Sequence, residues 1–229
     1  MIVPSLQFAA RTLRTADKRH LAKFMWNFGY KGVRSVNLFK KRLKQGIHFP
    51  PFLYISILNS CNLRCQGCWV DVDKPQVKIE FDELNKLVND AKAHGNSFFG
   101  ILGGEPFMHP ELLDFLAEHP DCFFQIFTNG QMITEKKAEQ LRKLGNATIL
   151  VSIEGTEVVA NERRGGKDVL NRTLRGLDNC LNAGESTRFF NGSHLVIYTS
   201  DDSLTYYYSA TSPGGFTMGG SGPVTWDFP

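Results

Sequence analysis

The chain has 229 residues, 42% of them hydrophobic, and a formal net charge of +3. That is enough for one sizeable domain of ordinary globular composition. No run approaches the roughly 18 apolar residues of a membrane span, and no basic start followed by an apolar stretch marks a secretory signal. Five cysteines, three of them between Cys61 and Cys68, do not form a disulfide framework. They point to a reducing compartment, read as the cytoplasm, and to metal or redox chemistry.

Charge is unevenly placed. Residues 1–50 carry eleven Lys or Arg against one acid, Asp17, whereas the remainder carries 15 against 22. This first segment reads as amphipathic helix with a break at Gly29–Gly32. Leu21, Phe24, Met25, Trp26 and Phe28 sit among basic residues, and Phe39–Lys44 forms a second basic run. One reading is an arm lying on an anionic membrane or a nucleic acid. The favoured reading is a helical pair packed on the main domain with its charges solvated. No strand platform of stacking aromatics supports nucleic-acid binding.

From residue 52 the pattern is regular. A buried-type strand over 52–58 leads into a cysteine loop. A helix over about 81–94 places Phe81, Leu84, Leu87, Val88 and Ala91 on one face and stops at Gly95. A second strand, Ser97–Leu102, precedes a helix expected to start at Pro110 and to carry Leu112, Leu113 and Leu116. Strand Cys122–Phe127, helix Glu135–Leu144, strand Ala147–Ile153 and helix Asp168–Ala183 complete four βα units. Alternation of this kind predicts an α/β fold with a parallel sheet and right-handed crossovers, part of a barrel or an open wound sheet. Chemistry then belongs on the loops after the strands.

Those loops hold every unusual cluster: Cys61-Asn62-Leu63-Arg64-Cys65-Gln66-Gly67-Cys68, then Gly103-Gly104-Glu105-Pro106, then Thr128-Asn129-Gly130, then Ser152-Ile153-Glu154-Gly155. Structural zinc takes four ligands, commonly as two pairs. No second pair is present, since Cys122 falls in a strand and Cys180 in a helix. A [4Fe–4S] cluster takes one cysteine per iron, so three cysteines leave one iron open. A three-thiolate zinc, electron-rich and a poor Lewis acid, and a metal-free set of reactive thiols are the alternatives. In the second loop two glycines allow close backbone approach, and Glu105 offers negative charge to a ligand ammonium. An ordinary strand-to-helix turn is the plainer account of that loop.

C-x3-C-x2-C at Cys61, Cys65 and Cys68, with Gly103, Gly104, Glu105 and Pro106 after the next strand, resembles the radical S-adenosylmethionine (radical SAM) superfamily over roughly residues 50–184. The resemblance implies a partial (β/α) barrel and a [4Fe–4S] cluster on the three cysteines. It implies that the open iron chelates the amino and carboxylate groups of SAM, which an electron cleaves to methionine and a 5′-deoxyadenosyl radical. An electron donor such as a flavodoxin or ferredoxin is implied as a partner. By the same resemblance Thr128 and Asn129 lie near the ribose or methionine part of SAM, Ser152 and Glu154 near its ribose or amino acid moiety, and Arg163 and Arg164 near its carboxylate. Where many members carry an aromatic residue before the third cysteine, this chain has Gly67. Trp69 then either flanks the adenine or belongs to the core. His109 and His119 read as capping or surface residues, and Asp71 and Asp73 as solvated.

After Gly184 the composition changes. Residues 185–229 hold one basic residue, Arg188, and are rich in Gly, Ser, Thr and Tyr. Leu195–Thr199 and Leu204–Ser209 are expected to pair as a hairpin. The domain reading is therefore a basic helical extension (1–50), a radical SAM partial barrel (51–184) and a tail (185–229). The family's usual six units are not all visible, so the tail reads as truncated or aberrant, and the edge of the fourth strand, Ala147–Ile153, is expected to be open. Three functions compete: a radical SAM enzyme on an unknown substrate, a non-catalytic iron–sulfur or SAM-binding protein, and a structural metal-binding module with a basic surface-binding arm.

Overall fold

The computed structural model describes residues 18–183 together with the backbone of Leu195–Tyr198 and Leu204–Tyr207. The rest of the tail lies outside the described residues, as do residues 1–17.

Four parallel strands form one sheet in the order β1 (Leu53–Ser56), β2 (Phe98–Leu102), β3 (Phe123–Thr128), β4 (Ala147–Val151). Parallel neighbours need long crossovers. These are α3 (Phe81–Ala93), α4 (Leu112–Glu118) and α5 (Glu135–Leu144), preceded in the chain by α1 (Lys18–Phe24) and α2 (Gly32–Leu43). Alternate strand residues Ile55, Phe99, Ile101, Phe124, Ile126 and Ile149 meet Leu84, Val88, Leu112, Phe115, Leu116 and Leu141 of the crossover helices in the main core. Phe99 and Phe124 stack there at 5.6 Å, with Phe115 edge-on to Phe124 at 5.2 Å. The abundance of phenylalanine in the sequence thus becomes a layered aromatic core.

The opposite face of the sheet is the inner wall of a half-barrel. Tyr54, Gly100, Gln125 and Thr148 lie in register across it, and Ser56, Leu102, Phe127 and Leu150 form the row nearer the strand ends. Gly100 is required by its neighbour, since a Cβ there would stand 2.2 Å from Tyr54 Cδ1. Tyr54 itself is 58% exposed and lies 5.9 Å from Phe127. Among the described residues β4 has no strand beyond it. β5 (Leu195–Tyr198) and β6 (Leu204–Tyr207) pair antiparallel in a separate two-stranded sheet, the hairpin expected from the sequence.

The basic segment does not break at Gly29–Gly32. Phe24, Lys31 and Gly32 are all right-handed helical, and a π-helical segment (Met25–Lys31) joins α1 to α2. Glycine costs about 1 kcal/mol in a helix, and tertiary contact outweighs it here. Phe24 meets Phe123 at 5.3 Å, Phe28 meets Phe98 at 4.9 Å, and Gly32 lets the Phe52 ring approach. The arm therefore plugs the entry end of the half-barrel. Two of its cations cap the last carbonyls of α5, where helices favour positive charge: Arg19 reaches Arg142 and Lys143 O, and Lys23 reaches Leu144 O.

Two further elements depart from the sequence reading. The helix expected from Pro110 begins at Leu112, after a 3-10 turn at Pro106–Met108 capped by Glu105. A helix not read from the sequence, α6 (Glu157–Arg164), precedes α7 (Val169–Asn182).

Candidate cofactor-binding site

The cysteine loop is held by its middle. Leu63, 4% exposed, inserts among Ile153, Ala160, Val169 and Leu170 and brings the partly buried Cys61 and Cys65 against that cluster. The loop then docks on the end of α6. Arg64 N donates to Arg164 O at 3.0 Å and Gln66 N to Arg163 O at 2.7 Å, satisfying carbonyls that a helix end leaves unpaired. Gly165, left-handed at φ 60°, permits this approach, because a Cβ there would stand 2.6 Å from Arg64 O. Gly67, the departure from the family pattern, has φ 71° and turns the chain so that Cys68 N donates to Cys65 O.

Burial pushes the Cys61 and Cys65 thiols up. Neighbouring cysteines and acids push the same way, while backbone donors at Leu63 and Asn62 pull Cys61 down and Arg164 pulls Cys65 down. Cys61 and Cys65 are half-buried and Cys68 is exposed. Among the described residues no three His, Cys, Asp or Glu side chains converge on a single-ion position. The structural-zinc reading therefore gains no preformed chelate. A four-iron cluster asks for something different, since each thiolate binds a separate iron. Arg164 also fits an anionic group at this place. It is 8% exposed, and its Nε is buried without a hydrogen-bond partner among the described residues. Three clustered thiols, which a bound metal cluster would hold as thiolates, beside a guanidinium that keeps one donor free of Glu154, suit a multinuclear metal cluster.

The glycine-rich loop has a structural task that its sequence did not reveal. Gly104 N donates to Leu58 O and Glu105 N to Ser60 O, extending the β1–β2 pairing up to the cysteine loop. A Cβ on Gly104 would stand 2.1 Å from Ser60 O. Glu105 is fully buried and does not face an ammonium. Its carboxylate accepts from Thr128 Oγ1 at 2.7 Å, Asn129 N at 2.8 Å and Phe107 N at 3.1 Å. Burial pushes this carboxyl above the usual range, against those donors and Lys137. Pro106 is buried at the start of the 3-10 turn.

The loop after β3 closes the network. Asn129 Nδ2 lies 2.8 Å from Asn62 Oδ1 and 3.9 Å from Cys61 Sγ, and Asn62 also donates to Gln131. Thr173 of α7 donates to Asn129 O at 2.8 Å. Gly176 lets α7 touch this loop, its notional Cβ falling 1.9 Å from Gly130 O. Gln131, Thr173 and Gly176 were not singled out in the sequence because none belongs to a motif, and Asn62 entered only as a spacer between Cys61 and Cys65. Small residues on an otherwise apolar helix face were the signal available for Thr173 and Gly176.

After β4 the expected residues meet one another. Arg163 Nε lies 3.0 Å from Glu154 Oε2, and Arg164 Nη2 lies 3.4 Å from Glu154 Oε1. The arginines thus pair with Glu154 and are not an unengaged fork awaiting a carboxylate. Ser152 is exposed, with its N–H bonded to Thr128 O. Trp69 is 67% exposed beside Cys68, which removes it from the core. His109 and His119 are capping residues, at the ends of the 3-10 turn and of α4, but buried rather than on the surface, and their rings bond to Ile79 O and Asn85 Oδ1. Asp71 and Asp73 are not buried and pair with Lys74 and Arg64.

A four-stranded parallel sheet walled by helices, with its strand-end loops gathered around three cysteines, has the fold of a partial radical SAM barrel. The chain belongs to the radical SAM superfamily, whose family model matches residues 55–204 and so runs past the limit of 184 read from the sequence. It is 28% identical over 138 residues to the Fe-coproporphyrin III synthase of Methanosarcina barkeri, covering 58% of this chain and 35% of that protein. It is 31% identical over 144 residues to the GTP 3',8-cyclase of Sulfurimonas denitrificans, covering 58% and 44%. The chain thus spans under half the length of these relatives. Among solved structures, Streptococcus suis SuiB bound to S-adenosylmethionine shares the fold at a TM-score of 0.55 and 24% identity, covering 65% of this chain and 35% of that one.

Proposed function

We propose that this chain carries the cofactor-binding part of a radical SAM enzyme, within a domain spanning 51–184 or somewhat beyond. Cys61, Cys65 and Cys68 hold a [4Fe–4S] cluster, and SAM occupies the position left open. A cluster held there supplies the electron that cleaves SAM reductively. The chain's own residues orient and shield. Leu63 and the α6 terminus fix the cysteine loop, and Glu105 fixes the loop after β3. Gly103, Gly104, Asn129, Ser152, Glu154 and Arg163 line the SAM side, with the buried Glu105, Pro106 and Thr128 supporting them from behind, and Trp69 flanks the adenine. A flavodoxin or ferredoxin in the cytoplasm serves as electron donor.

The observation that carries the reading is the interlocking of all four strand-end loops around the three thiols. The inner wall, with Tyr54 and Leu150 exposed, favours a second reading in which the chain binds cluster and SAM without turnover. Anaerobic reconstitution followed by reduction with SAM separates the two. Formation of 5′-deoxyadenosine, lost in Cys65→Ala, supports the enzyme. A full cluster without that product supports the binding reading. Zinc uptake without iron would sink both.

A further inference from the structure

The arm at the entry end of the half-barrel exposes a surface that the cofactor site does not explain. Its inner side, with Phe24, Asn27, Phe28, Gly32 and Ser35, packs on the sheet and the segment before β1. Its outer side exposes Met25 (57%), Trp26 (54%), Tyr30 (61%) and Val33 (62%), with the Trp26 and Tyr30 rings stacked at 4.8 Å. Arg34, Lys40, Lys41 and Lys44 are also exposed and form no hydrogen bond or ion pair among the described residues. By contrast, Arg19, Lys23, Lys31 and Arg42 are all engaged with protein groups. Residues 18–50 contain no acidic side chain.

We propose that this outer face docks on an anionic lipid surface. A Trp–Tyr pair suits the boundary between headgroup and acyl chain, and unpaired Lys and Arg beside it suit anionic headgroups. Charge argues against self-association, because two such faces repel each other. Position argues against a redox partner. The arm contacts Phe98 and Phe123, the first residues of β2 and β3, whereas the cysteine loop follows the far end of β1. At about 3.3 Å per residue the strand lengths put the two ends roughly 15 Å apart. Trp26 and Tyr30 stack on each other, which leaves poor platforms for nucleic-acid bases. Docking here localises the protein while the cysteine loop faces away from the bilayer. The proposal is independent of the cluster chemistry.

The test is co-sedimentation of the full chain with vesicles of phosphatidylcholine alone or mixed with phosphatidylglycerol. Binding is expected only to the mixed vesicles and weakens as salt is added. Each surface lysine near an anionic membrane contributes roughly a fivefold factor, so Lys40→Gln with Lys41→Gln should lower partitioning about thirtyfold. Trp26→Ser with Tyr30→Ser should lower it at unchanged charge. Thermal melting confirms that both variants fold, since all four side chains are exposed. No binding to mixed vesicles, equal binding to both kinds, or binding unmoved in both variants overturns the proposal. So does an RNA oligonucleotide that displaces the vesicles, or a dimer in sedimentation velocity that the aromatic variant dissolves.

Discussion

Replacing Glu105 by alanine tests whether the buried carboxylate knits the loops together. The change strands the N–H groups of Asn129 and Phe107 and removes the strongest partner of the Thr128 hydroxyl. An unsatisfied buried donor costs about 1–3 kcal/mol. The Thr128 hydroxyl also accepts from Gly130 N and can rotate, so it adds little. Relief from burying a charge offsets part of the loss. The net is about 2–4 kcal/mol, a sizeable share of a typical stability of roughly 5–15 kcal/mol. For a chain of this size that lowers Tm by about 4–16 °C.

Glu105→Gln keeps one acceptor but turns an NH2 toward a donor, so its loss should be smaller. The pH dependence has a definite sign. The folded pKa is raised above the ordinary 4.5, chiefly by burial. The folded state therefore holds its proton longer, and the Glu105 contribution is full below 4.5 and declines as pH rises through the folded value. Thermal melts of wild type, Glu105→Gln and Glu105→Ala across pH read both effects. A Glu105→Ala variant melting within 2 °C of wild type, or a wild-type minus Glu105→Gln difference flat with pH, would refute the reasoning.

Two further outcomes follow from the same contacts. Gly165→Ala places a Cβ 2.6 Å from Arg64 O in a left-handed residue; left-handed backbone alone costs about 1–2 kcal/mol. Iron content after reconstitution should fall even though all three cysteines remain, and full occupancy would show that the α6 terminus does not hold the loop. Asn129→Leu removes the amide 3.9 Å from Cys61 Sγ. Hydrogen bonds to cluster sulfur help set the potential, so the variant should show a lower midpoint potential in an EPR-monitored titration at unchanged iron content. An unchanged potential would remove Asn129 from that role.

The four βα units and the placement of every polar cluster on a strand-end loop were legible in the sequence, because continuous apolar strands and helical periodicity survive in segments with buried faces. Helix α6 was not. Its apolar residues point the wrong way, with Val158 73% exposed and small Ala160 buried, so hydrophobic periodicity missed it. Thr156 before it, Gly165 after it, and the charges of Glu157 in its first turn and Arg163 and Arg164 in its last were the signals present. The inward turn of Glu105 was also hidden, because its partners lie 23 and 24 positions away. The arginines read as ligands for a carboxylate found one in Glu154, nine and ten positions earlier. The continuous path through Gly29 and Gly32 was set by Phe52, Phe98 and Phe123, against local propensity.

The proposed function stands on Cys61, Cys65 and Cys68 holding a four-iron cluster with one position open to SAM. The most direct measurement is iron analysis with EPR of the reduced, anaerobically reconstituted chain, recorded with and without SAM. About four irons per chain are expected, lost in Cys61→Ala, Cys65→Ala and Cys68→Ala, together with a cluster signal that changes shape when SAM is added. Retention of the cluster in any of those variants, or a signal indifferent to saturating SAM, would contradict it.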